Sequence, residues 1–93
     1  MSKQGIRCVV TGQVQGVWFR YYTQQEAARL GLCGWAKNQA DGTVEVVAVG
    51  EAIELEQLHQ WLHQGSPKST VNSVSYETYP HHTTAMNDEF QIL

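Results

Sequence analysis

Between positions 12 and 20 the chain reads Gly12-Gln13-Val14-Gln15-Gly16-Val17-Trp18-Phe19-Arg20, a glycine-bearing segment that ends on a single arginine. Such a segment can do chemistry where it joins a strand to a helix. The first amides of a helix have no intrahelical acceptor and carry a partial positive charge, which together suit an oxyanion. Ahead of it, Ile6 to Thr11 alternates and is rich in β-branched types, with Ile6, Cys8 and Val10 on one face, and so predicts a buried strand. Behind it, Thr23, Ala27 and Leu30 recur at i, i+4 and i+7 from Arg20 to Leu30, and Gly31 stands where a helix would end. Gly16 would let the backbone come close to an anion. Arg20, on the first helical turn, would add a planar fork suited to two phosphoryl oxygens. Taken alone, the segment equally describes an ordinary connection with a solvated arginine.

The elements that must position this segment follow from the remaining pattern. Trp35 to Gln39, the pair Asp41-Gly42, and Val44 to Val49 predict a hairpin whose two turn residues both accept positive φ. Leu55, Leu58 and Leu62 form a helical stripe ending at Gly65, and Pro67 interrupts the chain. Val71 to Tyr79 and Phe90 to Leu93 read as strands, separated by a polar surface loop that includes His81 and His82. The order is βαββαβ plus a short terminal strand. It predicts an α+β, ferredoxin-like sandwich: an antiparallel sheet with two helices on one face, for which the analogy supplies strand order 4-1-3-2. If the first strand runs up the sheet, the helix descends and the second strand climbs again, bringing Asn38 to the same end as Arg20. Alternation puts Asn38 on the face of Gly34 and Ala36, opposite Trp35 and Lys37, at an exposed strand end. By type alone, an Asn beside a hairpin reads as a turn residue.

Two motifs in this frame resemble the acylphosphatase family. Gly12 to Arg20 matches its GxVQGVxFR motif at every fixed position, and Gly34-Trp35-Ala36-Lys37-Asn38, followed by Gly42, Val44 and Gly50, matches the second. The resemblance spans residues 1–93, taken as one domain. It implies the ferredoxin-like fold, hydrolysis of acyl phosphates to carboxylate and inorganic phosphate, no cofactor, and catalytic roles for Arg20 and Asn38. On that basis the amides of Gln15, Gly16, Val17, Trp18, Phe19 and Arg20, with the Arg20 guanidinium, are expected to bind the phosphoryl group, and Asn38 to place the attacking water. Trp18, at the variable motif position, is read either as touching the acyl group at the pocket mouth or as ordinary packing. Members of the family often carry a basic residue near the last strand, where this chain reads Phe90-Gln91-Ile92-Leu93. Small acyl phosphates, carbamoyl phosphate and bisphosphoglycerate remain unranked as substrates.

Composition bounds the alternatives. Ninety-three residues, 42% of them hydrophobic, suit one core and not two. A net charge of −3 offers no overall positive field to nucleic acid or to an anionic membrane. A phosphoryl-ligand or single-stranded RNA binding module is the first rival. RNA is disfavoured by the charge and by the lack of a basic-aromatic strand motif. The second rival is the carbamoyl-phosphate-handling domain of large hydrogenase-maturation carbamoyltransferases, which the lack of partner domains argues against. Cys8 and Cys33 are expected to be buried and reduced, because a strand between theirs would hold them about 9–10 Å apart, beyond the roughly 7 Å reach of a disulfide. His59 and His63 lie one helical turn apart, but no third ligand at suitable spacing completes a metal site, so a solvated helix face is the preferred reading. With no apolar run of about 18–20 residues and a polar start, Met1 to Gly5, the expectation is a cytoplasmic monomer that needs no metal.

Overall fold

Alternation in the first strand carries through the computed structural model, which describes residues 3–80 and 89–93. β1 (Gln4–Gln13) buries Ile6, Cys8 and Val10 on one side. It is followed by α1 (Phe19–Arg29), β2 (Cys33–Asn38), β3 (Val44–Gly50) and α2 (Ala52–Gln64). The chain closes with β4 (Thr70–Val74), β5 (Glu77–Thr78) and β6 (Phe90–Ile92). The sheet order is β4-β1-β3-β2-β6, with β5 also paired to β1. The expected 4-1-3-2 order therefore holds through the first four places. Even-numbered residues of β1, β2 and β3, among them Ile6, Cys8, Ala36, Val46 and Ala48, share one core with Phe19 and Ala27 of α1 and with Leu55, Leu58 and Leu62 of α2. Both helices thus cover the same face of the sheet. No helix among the described residues is long and apolar enough to cross a membrane.

Four local expectations need correction. The terminal strand β6 pairs parallel to β2, with Gly34 opposite Phe90, so the sheet is antiparallel through β4, β1, β3 and β2 and mixed at that edge. The segment from Val71 to Tyr79 is not one strand. Ser75 Oγ takes the Val9 amide at 3.0 Å, a bond that a strand carbonyl would otherwise accept, and this separates β4 from β5 without changing their register on β1. The β2–β3 turn contains positive φ at Gly42 alone (91°). Gln39 N donates to Thr43 O at 2.9 Å and Gly42 N to Gln39 O at 3.1 Å, so three residues, not two, make the loop, and the Asp41 carboxylate accepts from Thr43 N and Oγ1. Finally, Cys33 is only half-buried, because its odd position on β2 turns it away from the helices. Cys8 is sealed in the core, where burial pushes its thiol up to about 12. No disulfide joins the two cysteines. His81 and His82 lie outside the described residues.

The helix-free face carries a polar network in place of a second layer. Arg7 Nε reaches Glu45 Oε2 at 2.7 Å and Nη1 reaches Glu77 Oε2 at 3.0 Å, while Trp35 Nε1 donates to Glu45 Oε1 at 3.1 Å. Burial alone would raise the Glu45 carboxyl. The hydrogen bonds from Arg7 and Trp35 and the nearby positive charges outweigh it, so Glu45 titrates below its ordinary value of 4.5.

Candidate active site

The chain leaves β1 through a bulge at Thr11/Gly12. No side chain fits at Gly12, where a Cβ would fall 2.1 Å from the Thr70 carbonyl oxygen. The loop then alternates in hand: Gly16 has φ 75° and Trp18 φ 64°, with Val17 between them at negative φ. Such alternation is the backbone pattern from which a concave anion-binding nest of amides can be built. At Gly16 a Cβ would meet nothing within 4 Å, so glycine is required there by backbone hand and not by space. Trp18 has no such excuse. A bulky residue in the left-handed region carries strain on the order of 1–3 kcal/mol.

Trp18 is also the N-cap of α1, and no side chain caps the helix. The first helical bond runs from Tyr22 N to Trp18 O at 3.0 Å, which leaves the amides of Trp18 to Tyr21 without intrahelical acceptors. The nest and the helix end therefore adjoin. The loop is held from behind. Ser66 Oγ donates to Val17 O at 2.8 Å, and the buried Phe19 ring lies 6.0 Å from Trp61. Gln15 Nε2 donates to both Gln39 O (2.8 Å) and Thr43 O (2.9 Å), tying the loop to the β2–β3 turn.

These elements border a cavity of about 470 Å³ lined by Gly16, Trp18, Phe19, Arg20 and Asn38, with Val14, Tyr21 and Ile92 completing the walls. Arg20 Nη1 donates to the main-chain oxygen of Leu93 at 2.6 Å, which steers the guanidinium toward the β6 side of the cavity. Asn38 is half-buried, not exposed as expected from its place at the strand end. Its Oδ1 is fully buried, and among the described residues no donor reaches it. The structure thus brings Arg20 and Asn38 to one cavity together with Gly16, Trp18 and Phe19. It does not bring Gln15 and Val17 into the lining: the Gln15 carboxamide is spent on the hairpin turn, and the Val17 side chain packs against the core. Val14, Tyr21 and Ile92 were not singled out from the sequence. Val14 is a fixed motif position that was available to read, whereas Ile92 arrives only through the parallel pairing of β6.

No group of three His, Cys, Asp or Glu side chains among the described residues is placed to hold a metal ion. The His59 and His63 rings lie 5.2 Å apart on α2, and Tyr76 is 4.8 Å from His59.

A family profile described as Acylphosphatase matches residues 6–92. The chain belongs to the acylphosphatase family. Among curated relatives, the acylphosphatase of Xanthomonas euvesicatoria pv. vesicatoria is 57% identical over 72 residues, 77% of this chain and 82% of that one. Among solved structures, an acylphosphatase from Coxiella burnetii superposes with a TM-score of 0.89 at 35% identity, over 98% of this chain and 93% of that one. The acylphosphatase of Bacillus subtilis gives 0.88 at 37% identity, over 97% and 98%. Acylphosphatase membership accounts for both motifs at once, since each contributes one wall of the same cavity.

Proposed function

We infer that this chain hydrolyses the carboxyl–phosphate bond of acyl phosphates by direct in-line attack of water. One observation carries the reading: the glycine-bearing loop at the start of α1, the Arg20 side chain and Asn38 border one cavity. The amides from Gly16 to Arg20 and the Arg20 fork bind the phosphoryl oxygens and offset their charge as the bond to the leaving group lengthens. Gln15 and Val17 contribute through the backbone or by holding the loop. The Asn38 carboxamide hydrogen-bonds the attacking water and holds it opposite the leaving carboxylate. The water oxygen bonds to phosphorus, the P–O bond to the acyl group breaks, and the carboxylate departs with the electron pair. A carboxylate leaves readily without a general acid, and the proton given up by water passes to a phosphoryl oxygen. On the charge and composition grounds above, the protein works as a cytoplasmic monomer on a small-molecule substrate, with inorganic phosphate as product and no nucleic-acid partner.

Release of inorganic phosphate from benzoyl phosphate in excess EDTA tests this reading. Full turnover is expected under chelation, because Arg20 and the amides meet the phosphoryl charge. A requirement for added Mg²⁺ or Zn²⁺ would refute the metal-free route.

A further inference from the structure

We propose that Ser66 is a positioning residue for the anion site: its buried hydroxyl holds the Val17 carbonyl and thereby keeps the Trp18 amide N–H turned toward the cavity, where a phosphoryl oxygen can accept from it. This role rests on the hydrolytic reading above, and it falls to a residue outside both motifs and outside the cavity lining. Trp18 is where the need arises. Its φ of 64° is strained for a bulky residue, and its ring, 71% exposed, is not packed tightly enough to hold the backbone there. The main chain does so instead. Two peptides flank Trp18, and each has its carbonyl fixed: Trp18 O accepts from Tyr22 N at 3.0 Å, and Val17 O accepts from Ser66 Oγ at 2.8 Å. A half-turn flip of the Val17–Trp18 peptide would carry Trp18 from φ 64° to about −116°, where no side chain is strained. The Ser66 bond opposes that flip.

The direction of the amide follows from the carbonyl. In a trans peptide the C=O and the following N–H point to opposite edges of one plane. With Val17 O drawn to Ser66 behind the loop, the Trp18 N–H turns the other way, to the side where Gly16, Trp18 and Arg20 line the cavity. As the N-cap amide it has no intrahelical acceptor to satisfy it. After a flip, a carbonyl oxygen would meet the phosphoryl oxygens in its place. The hydroxyl is itself presented from a rigid support. Ser66 is buried although polar, and its own carbonyl accepts from Ser69 N at 3.0 Å and Ser69 Oγ at 2.8 Å. A Cβ at Gly65 would fall 2.9 Å from the Phe19 ring, so this connection lies directly against the first residue of α1.

The test compares wild type, Ser66→Ala and Ser69→Ala by competitive inhibition with inorganic phosphate, by kcat/KM on benzoyl phosphate in EDTA, and by the Trp18 amide proton in ¹⁵N–¹H spectra. In the wild type, saturating phosphate should move that proton downfield, as a hydrogen bond to an anion does. In Ser66→Ala the movement should be lost and phosphate inhibition weakened about tenfold or more, the scale of one hydrogen bond to a charged group. Ser69→Ala loosens the same connection without touching Val17, so it should melt lower yet keep phosphate inhibition within about threefold of wild type. Should Ser66→Ala fail to fold by circular dichroism, Ser66→Cys fills the same space with a weaker donor, and a rise of more than about threefold in the inhibition constant carries the same conclusion. An inhibition constant within about threefold of wild type in the folded Ser66 variant, a Trp18 proton that still moves, or equal weakening in Ser69→Ala overturns the positioning role and leaves the hydrolytic reading standing. If the wild type neither releases phosphate from benzoyl phosphate nor binds it, the hydrolytic reading is refuted and the role of Ser66 with it.

Discussion

Asn38→Ala separates a working residue from a supporting one, because the two roles predict opposite signs in stability. In the folded chain Asn38 Oδ1 is buried and no donor among the described residues reaches it. An unsatisfied buried acceptor costs about 1–3 kcal/mol, so deleting it offsets the modest packing that the short side chain provides. At ~4–8 °C per kcal/mol for a domain of this size, the melting temperature should stay level or rise by several degrees. Turnover should move the other way. Losing one well-placed transition-state hydrogen bond costs about 2.7–4 kcal/mol, a fall of roughly 10²–10³ in kcat. If the carboxamide holds the water and not the phosphoryl group, inhibition by inorganic phosphate should change by no more than about threefold. Steady-state kinetics on benzoyl phosphate, competitive inhibition by phosphate and thermal melting by circular dichroism give the three numbers on one preparation. A drop in melting temperature of 4 °C or more would make Asn38 a structural residue. Phosphate affinity weakened tens of times would make it a phosphate ligand. Either result removes the water-positioning role.

Arg20→Ala should nearly abolish turnover and weaken phosphate inhibition, and Arg20→Lys should recover little because one ammonium cannot reproduce a two-pronged contact; near-normal kinetics in the lysine variant would reduce Arg20 to a point charge. Acid should destabilise the fold partly through Glu45, whose folded-state value is lowered below 4.5. Its contribution is complete above the unfolded value and is lost as pH falls through the lower folded one. Glu45→Gln should therefore melt lower than wild type at pH 7 and lose less on going from pH 5 to pH 2; an unchanged acid profile would mean that Arg7 and Trp35 do not hold the carboxylate in solution.

Much of this was legible in residue order because the signals are local. Ile6, Cys8 and Val10 announce a face at period two, and Leu55, Leu58 and Leu62 announce one at helical spacing, and both stand in the core. The sequence misread features whose cause lies elsewhere in the chain. Ser75 breaks the fourth strand only because its hydroxyl sits opposite the Val9 amide. β6 was expected beside an antiparallel sheet, but it pairs parallel to β2, and periodicity does not encode the direction in which a strand runs. Asp41-Gly42 signalled the hairpin, yet Asp41 uses its carboxylate on Thr43 in place of a positive φ, so the loop is one residue longer than the pair implies. At the cavity, the motifs drew attention to Arg20 and Asn38, but residue type alone cannot say that a glutamine in a binding motif spends its side chain on another loop. Nor can it foretell that a tryptophan cap takes a left-handed turn.

The double hold of Gln15 on Gln39 and Thr43 has a consequence for how the molecule breathes. One carboxamide fastens the loop entering α1 to the loop entering β3, across 24 and 28 residues of chain. A fluctuation that peels back either loop must release both bonds, so the two lose order as a single unit and their amides share one opening event in hydrogen exchange. The wall that carries the anion nest and the wall that carries Asn38 therefore keep their spacing until that unit opens. Ligand recognition then draws on a shape set during folding, with little left to organise when substrate arrives.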